Sequence, residues 1–357
     1  MSKRNVPINK GNYSMDSAER EALFERHRGD GWEAEYAEYR RNWSEYPRQQ
    51  HVSEYPLLVD IELSSLCNLT CPMCYTITDK FKQQVNTTRM DWELYKKIID
   101  EIDGKVPAIR LSLRGEATLH TKFIEAIKYA KDHGIKEVSM LTHGGKLTLP
   151  YFKKMVEAGI DWITISVDGL DETYERVRKP LKFRDLLDKI KSIKQYKEER
   201  KLKRPVIKVQ GIWPAIAESG ADAYYNTFAP CTDLVAFNPL IDYLANDTHI
   251  EYIEEFTCPQ QYQRLVIGAD GLVMKCSNDE ENREVVGDLK QESVYQVWHG
   301  KNMQSVRDMH LKPRGFLQSA VCRKCYLPRV TEDEAAAVGG RTFFVKNCVH
   351  RIQEIGK

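Results

Sequence analysis

No stretch of the 357-residue chain approaches the roughly 20 consecutive apolar residues of a membrane-spanning helix, so no membrane partner is expected. Charge of one sign is lacking too. The 53 Lys and Arg against 52 Asp and Glu leave a net +1, and nothing in that balance points to nucleic acid or an anionic surface as partner. The opening MSKRNVPINKGNYSMDSAER has no apolar run, which predicts no secretory signal and makes the cytoplasm the expected compartment. Thiols stay reduced there, and nine cysteines, an odd number, argue against full disulfide pairing and for metal. Internal repeats and low-complexity segments are absent. What is present is an ordinary globular composition, 42% apolar and 29% charged, in a length that suits one large domain and a smaller one.

Residues 1–55 are polar, but Trp32, Tyr36, Tyr39 and Trp43 recur at helical spacing in GWEAEYAEYRRNWSEYP. That stripe predicts a helical extension packing its aromatic face on the main domain, in preference to a carbohydrate-stacking surface. From residue 57 candidate strands alternate with helical patterns: 57–63, 108–113, 137–141, 162–167, 206–212 and 234–240. The helical stretch FIEAIKYAKDHGI stops at Gly134 as at a C-cap. This succession argues for parallel βαβ units over 56–255, forming a partial (β/α)6 TIM-type barrel or a doubly wound sheet. In both, ligands gather at the C-terminal ends of the strands. After residue 257 the alternation ends, and QRLVIGADGLVMKC reads as a β-hairpin turned at Ala-Asp-Gly. A domain boundary is therefore expected near residue 255, with 256–357 forming a small C-terminal domain.

The stretch SSLCNLTCPMCYT (64–76) directly follows the first predicted strand and spaces Cys67, Cys71 and Cys74 as Cx3CxxC. A four-iron cluster normally takes four cysteines, so three leave one iron open. A zinc site would need a histidine to complete it, and the nearest one downstream is His120. Structural cysteines and zinc are the alternatives. The position after a strand favours a cluster whose open iron binds something other than protein.

CNLTCPMC resembles the signature of the radical SAM superfamily. That resemblance implies an open iron chelated by S-adenosylmethionine (SAM), and reductive cleavage to methionine and a 5′-deoxyadenosyl radical. It also implies a low-potential reductant such as flavodoxin or ferredoxin. RGEATLH (114–120) is similar to the family's Gly-Glu-Pro motif: Gly115 and Glu116 match, Ala117 replaces the proline, and the methionine amino group is the implied contact. In LTHGG, Thr142 and Gly144 match a Thr-Asn-Gly motif while His143 departs from it. ISVDGLDETYERVRKP resembles the fourth-strand segment and implies that Ser166 approaches the SAM ribose or carboxylate. KVQGIW, with Gln210, corresponds to the segment lining the adenine side, and Met73 stands where the family usually has an aromatic against adenine. Glu62, on the first strand, is expected to face the barrel interior or its wall, either as partner of a strand-end arginine such as Arg110 or Arg114 or in a catalytic role.

Cys258, Cys276, Cys322 and Cys325 form a second set, with Gly271 five residues before Cys276 and a closing CxxC. Four thiolates suit one [4Fe–4S] cluster or one zinc ion, and ligand count leaves both open. The order Cys, Gly-x4-Cys, CxxC resembles the auxiliary-cluster extensions called SPASM and twitch. The full SPASM pattern has seven cysteines, whereas YLPRVTEDE after Cys325 has none. The resemblance therefore implies the shorter twitch form, with one fully ligated auxiliary [4Fe–4S] cluster that moves an electron. Cys231 precedes a strand and is expected to be structural. Cys348 is the candidate catalytic residue, as a hydrogen-atom donor, with simple packing or cluster ligation as its alternatives.

By cysteine layout the chain is similar to a twitch enzyme, 2-deoxy-scyllo-inosamine dehydrogenase. This implies a radical SAM oxidoreductase or epimerase acting at a hydroxyl-bearing carbon of a small polar substrate, a sugar or cyclitol. Arg114, His143 and Tyr243 are the candidate proton handlers near strand ends, with ribose, carboxylate or packing contacts as their alternatives. Modification of a ribosomally made peptide is the second reading, against which the 55-residue extension is short. A metal-cluster binding module without catalysis is the third.

Overall fold

The computed structural model describes residues 4–8, 10, 13–239 and 250–348, the last two by backbone alone. Its strands are β1 (Tyr13–Ser14), β2 (Leu58–Ile61), β3 (Ala108–Arg110), β4 (Glu137–Thr142), β5 (Trp162–Ser166), β6 (Val206–Ile212), β7 (Leu234–Asn238), β8 (Arg264–Ile267), β9 (Leu272–Met274), β10 (Val285–Asp288), β11 (Thr331–Val338) and β12 (Arg341–Cys348). The first ten form one sheet in the order β1-β7-β6-β5-β4-β3-β2-β8-β9-β10. Strands β2 to β7 are mutually parallel and stand in strict chain order. A doubly wound sheet reverses its order at a switch point; this one does not, so it is the wall of a partial barrel. The wall stays open: β7 takes β1 as its outer neighbour and β2 takes β8.

Each crossover helix turns an apolar face to that wall. In Trp92–Ile102, Asp91 caps the N-terminus by accepting from the Glu93 and Leu94 amides, both at 3.0 Å. Leu94, Tyr95, Ile98, Ile99 and Ile102 then fall on one buried face. The helix Phe123–Asp132 ends as expected, with Gly134 two residues on at φ +74°. The helices Ala18–Arg28 and Glu33–Gln49 cover the N-terminal end of the barrel. Trp32, Tyr36, Tyr39 and Trp43 pack there with Leu57, Leu58 and Ala108. All four aromatics are buried, so the stripe is core rather than a sugar-stacking face.

The expected hairpin is β8–β9, and it does more than decorate the second domain. β8 lies parallel to β2, Leu58 opposite Arg264 through Ile61 opposite Ile267, so the sheet runs on across the expected boundary near 255. Strands β11 and β12 form a separate hairpin that the sequence reading did not foresee. It turns at Gly339 and Gly340 (φ +59° and +73°) and sets Phe343 against Trp213 and Phe237.

Candidate active site

The loop after β2 carries Cys67, Cys71 and Cys74, and the loop after β3 carries Gly115 and Glu116. The two are pressed together: the Glu116 amide donates to the Leu66 carbonyl at 2.8 Å. A Cβ at Gly115 would stand 2.5 Å from the Leu66 and Ser64 carbonyl oxygens, so only glycine permits this approach. A cavity of about 270 Å³ opens at these strand ends, lined by Cys67, Cys71, Met73, Cys74, Gly115, Glu116, Thr142 and Ser166. Eight of the expected residues, three cysteines and five SAM contacts, thus share one space. Gln210 does not line it. Gln210 faces a larger cavity of about 570 Å³ in the barrel lumen, while Ile212, two residues on, lines the first. Leu141 and Asn238 border both.

The Glu116 carboxylate accepts from the Thr142 hydroxyl (2.7 Å), the Thr118 hydroxyl (2.6 Å) and the His143 amide (3.0 Å). This fixes its orientation at the cavity wall. The His143 ring is held by Asn68 at 2.9 Å, and burial lowers its pKa while Glu116 pulls the other way. Arg178, to which the sequence motifs assign no role, also lines the cavity. Its Nε donates to Asp168 at 2.6 Å and its Nη2 lies 2.5 Å from the same carboxylate oxygen, while Asp168 also accepts from the Ile212 amide at 2.8 Å. Its guanidinium acts electrostatically on the Cys71 thiol, a proximity that only the fold creates. Arg114 also borders this cavity, with its guanidinium engaged in an ion pair. It donates to Glu62 through Nε (2.9 Å) and Nη2 (2.5 Å), and its Nη1 reaches Asn282 at 2.7 Å.

The second cysteine set also assembles. Cys258, Cys322 and Cys325 share a buried apolar cluster with Phe256, Phe316 and Leu327, and Cys276 is buried within electrostatic reach of all three. Hydrogen-bond donors already point at the sulfurs: Lys275 Nζ at 3.2 Å from Cys322, Asn278 Nδ2 at 3.0 Å from Cys325, and the Leu327 amide at 3.4 Å from Cys325. Among the described residues no three His, Cys, Asp or Glu side chains converge on a single ion. Tyr75, adjoining Cys74, lines the first cavity and also a small crevice beside Asn278 and Cys325, so the two sets face each other across it.

Both donor sets fit iron–sulfur clusters. Burial pushes the Cys71 thiol up to about 11, Cys325 to about 11 and Cys258 to about 12. Such thiols are poor nucleophiles and become thiolates when a metal replaces the proton. Donors aimed at the sulfurs are what a ligated thiolate accepts. Cys231, by contrast, is packed at the N-terminal end of the barrel, its Sγ on the Thr227 and Phe228 carbonyls at 3.4 and 3.5 Å. The backbone of Cys348 pairs with Thr331 at the end of β12. Its side chain, like the whole of Tyr243, lies outside the described residues.

Comparison with known proteins agrees with this division. The Radical SAM superfamily matches residues 61–207, and an iron–sulfur cluster-binding domain, SPASM, matches residues 258–326. The latter resolves the choice between zinc and iron–sulfur at the second cysteine set. A 7,8-dihydro-6-hydroxymethylpterin dimethyltransferase of Methanocaldococcus jannaschii is 32% identical over 120 residues, 32% of this chain and 23% of that protein. The chain spans about a quarter of the length of the first curated relatives it matches. In fold it is similar to BtrN solved with AdoMet and 2-DOIA, with TM-score 0.53, 16% identity, and coverage of 76% of this chain and 92% of that one. It is also similar to Streptococcus suis SuiB bound to S-adenosylmethionine, with TM-score 0.53, 11% identity, and coverage of 81% and 76%.

Proposed function

We propose, for a chain that belongs to the radical SAM superfamily and carries a C-terminal iron–sulfur cluster-binding domain, that it oxidises or epimerises a hydroxyl-bearing carbon of a small polar substrate, a sugar or cyclitol. The observation that carries this reading is the lumen cavity. It borders the SAM-site cavity at Leu141 and Asn238 and adjoins the second cysteine set at Ser277 and Tyr326, and its walls include Ser139, Thr164 and Gln210. A substrate there meets both cluster sites and a hydrogen-bonding wall suited to hydroxyl groups.

Cys67, Cys71 and Cys74 would hold the cluster whose open iron binds SAM, and Cys258, Cys276, Cys322 and Cys325 the auxiliary one. Bound together, these groups supply a carbon radical that takes hydrogen from a C–H bond, and a site that exchanges one electron. The protein residues do the rest. Glu116, held by Thr118, Thr142 and the His143 amide, presents a fixed carboxylate to the SAM amino group. Arg178, anchored by Asp168, sets a positive charge beside it for the SAM carboxylate. Ser166 and Met73, which line the same cavity, would wall the ribose and adenine side. Burial holds His143 towards its neutral form, which suits a ring that accepts or relays a proton.

The test is iron content and SAM cleavage after anaerobic reconstitution. About eight irons per chain should fall to about four in the Cys67/Cys71/Cys74→Ala triple variant. Dithionite should release methionine and 5′-deoxyadenosine from the wild type and not from that variant. Loss of two hydrogens from a polyol product marks oxidation. One deuterium gained from heavy water, with inversion, marks epimerisation. A product formed only on peptide would replace the small-substrate reading.

A further inference from the structure

Arg110 enters the lumen from β3, and its Nε lies 2.9 Å from Asp60 Oδ1. Asp60, fully buried on β2, also binds Arg264 Nη1 at 3.1 Å. One carboxylate therefore serves two guanidiniums, and both arginines line the cavity. The other buried acid on this wall, Glu137, is already held by Arg28 at 2.8 Å. Among the described residues the two Nη groups of Arg110 have no hydrogen-bond partner, and its side chain keeps 32% of its surface exposed there. A guanidinium edge left open in this way offers two parallel N–H donors, the geometry that carboxylate and phosphate oxygens match. Set back among the strands, the charge is screened less than on the open surface.

The height of Arg110 is also suitable. Ser139 on β4 is its direct neighbour in register, and Leu141, two residues or roughly 7 Å further up, borders the SAM-site cavity. A ligand of monosaccharide length gripping Arg110 would bring its far carbons to that border.

We infer that the lumen takes an anionic polyol, and that its oxyanion, a carboxylate or a phosphate, docks on Arg110. This deepens the function proposed above and rests on it. The test is isothermal titration of the reconstituted full chain, saturated with SAM, with glucose 6-phosphate, D-glucuronate, D-glucose and myo-inositol. At least one anion should bind about tenfold or more tightly than the neutral pair, and which one does so separates phosphate from carboxylate. Arg110→Gln should erase the preference, with iron content and unfolding temperature reporting that the fold is kept. Arg110→Lys, which keeps the charge and loses the fork, should retain only part of it and serves if the first variant does not fold. Equal binding of charged and neutral probes, no binding of either anion, or an undiminished preference in the variants overturns the inference. SAM cleavage by the wild type without any polyol is read on the same preparation. Its absence overturns the radical reading instead, and leaves the anion comparison to stand or fall alone.

Discussion

Glu62→Gln tests what holds the loops of the first cavity to the C-terminal domain. The Glu62 carboxylate is fully buried and accepts four hydrogen bonds: Arg114 N at 3.1 Å, Nε at 2.9 Å and Nη2 at 2.5 Å, and the Ala269 amide at 3.0 Å. Its partner guanidinium is 1% exposed. The substitution keeps the shape, removes the charge and turns an amide donor towards Arg114. Breaking a buried pair from one side costs about 3–5 kcal/mol, because the other charge is left uncompensated. Arg114 keeps Asn282 at 2.7 Å and the Glu280 carbonyl at 3.3 Å, which places the expectation near the lower bound, about 3 kcal/mol. Hydrogen exchange followed by mass spectrometry should then show segments 62–66, 110–116 and 266–272 opening roughly a hundredfold more often. The double variant Glu62→Gln/Arg114→Met should cost less than the sum of the single changes, since no charge stays buried. Unchanged exchange in those segments, or strict additivity of the two changes, would refute the account.

Two further expectations concern buried lysines. Burial, with Arg28 adding to it, pushes Lys208 down to about 7. The unfolded chain then binds the extra proton between about pH 7 and 10.5, so stability rises with pH across that window and the penalty is greatest below it. Lys208→Met should flatten this slope and stabilise the protein at pH 7 by on the order of 5 kcal/mol, as read by denaturant unfolding at several pH values. An unaltered pH slope would count against it. Lys275 donates to Cys322 at 3.2 Å from a fully buried side chain, so it offsets thiolate charge at the auxiliary site. Lys275→Met should move that cluster's midpoint potential to more negative values. An EPR-monitored redox titration in the Cys67/Cys71/Cys74→Ala background reads this directly, and an unmoved potential would refute the role.

The barrel was legible because its strands are buried on both faces and so appear as short Val- and Ile-rich runs between helical patterns. All six predicted runs became strands β2 to β7. The β11–β12 hairpin escaped because TEDE reads as a solvated acidic run. The Gly339-Gly340 turn between AAAV and RTFFV was the available signal. The cysteines announced their chemistry through spacing, which is local. Arg178 and Asp168 did not, since their role depends on a loop folding back towards Cys71.

The sequence by itself determined the succession of strands and helices along the chain and the two cysteine sets, and its family motifs pointed to most of the side chains around the first cavity. The succession follows from periodicity and the Cx3CxxC set from local spacing, whereas the second cysteine set and the cavity residues follow from the resemblance to family motifs. Only the tertiary structure decided that Glu62 belongs to Arg114 and not to Arg110, that Gln210 faces the lumen, and that β8 extends the barrel wall. It alone also showed that Asp60 is shared by two arginines, one of them more than 200 residues distant. Contacts of that kind depend on how distant strands align and which side chains the lumen brings together, and no local pattern encodes that.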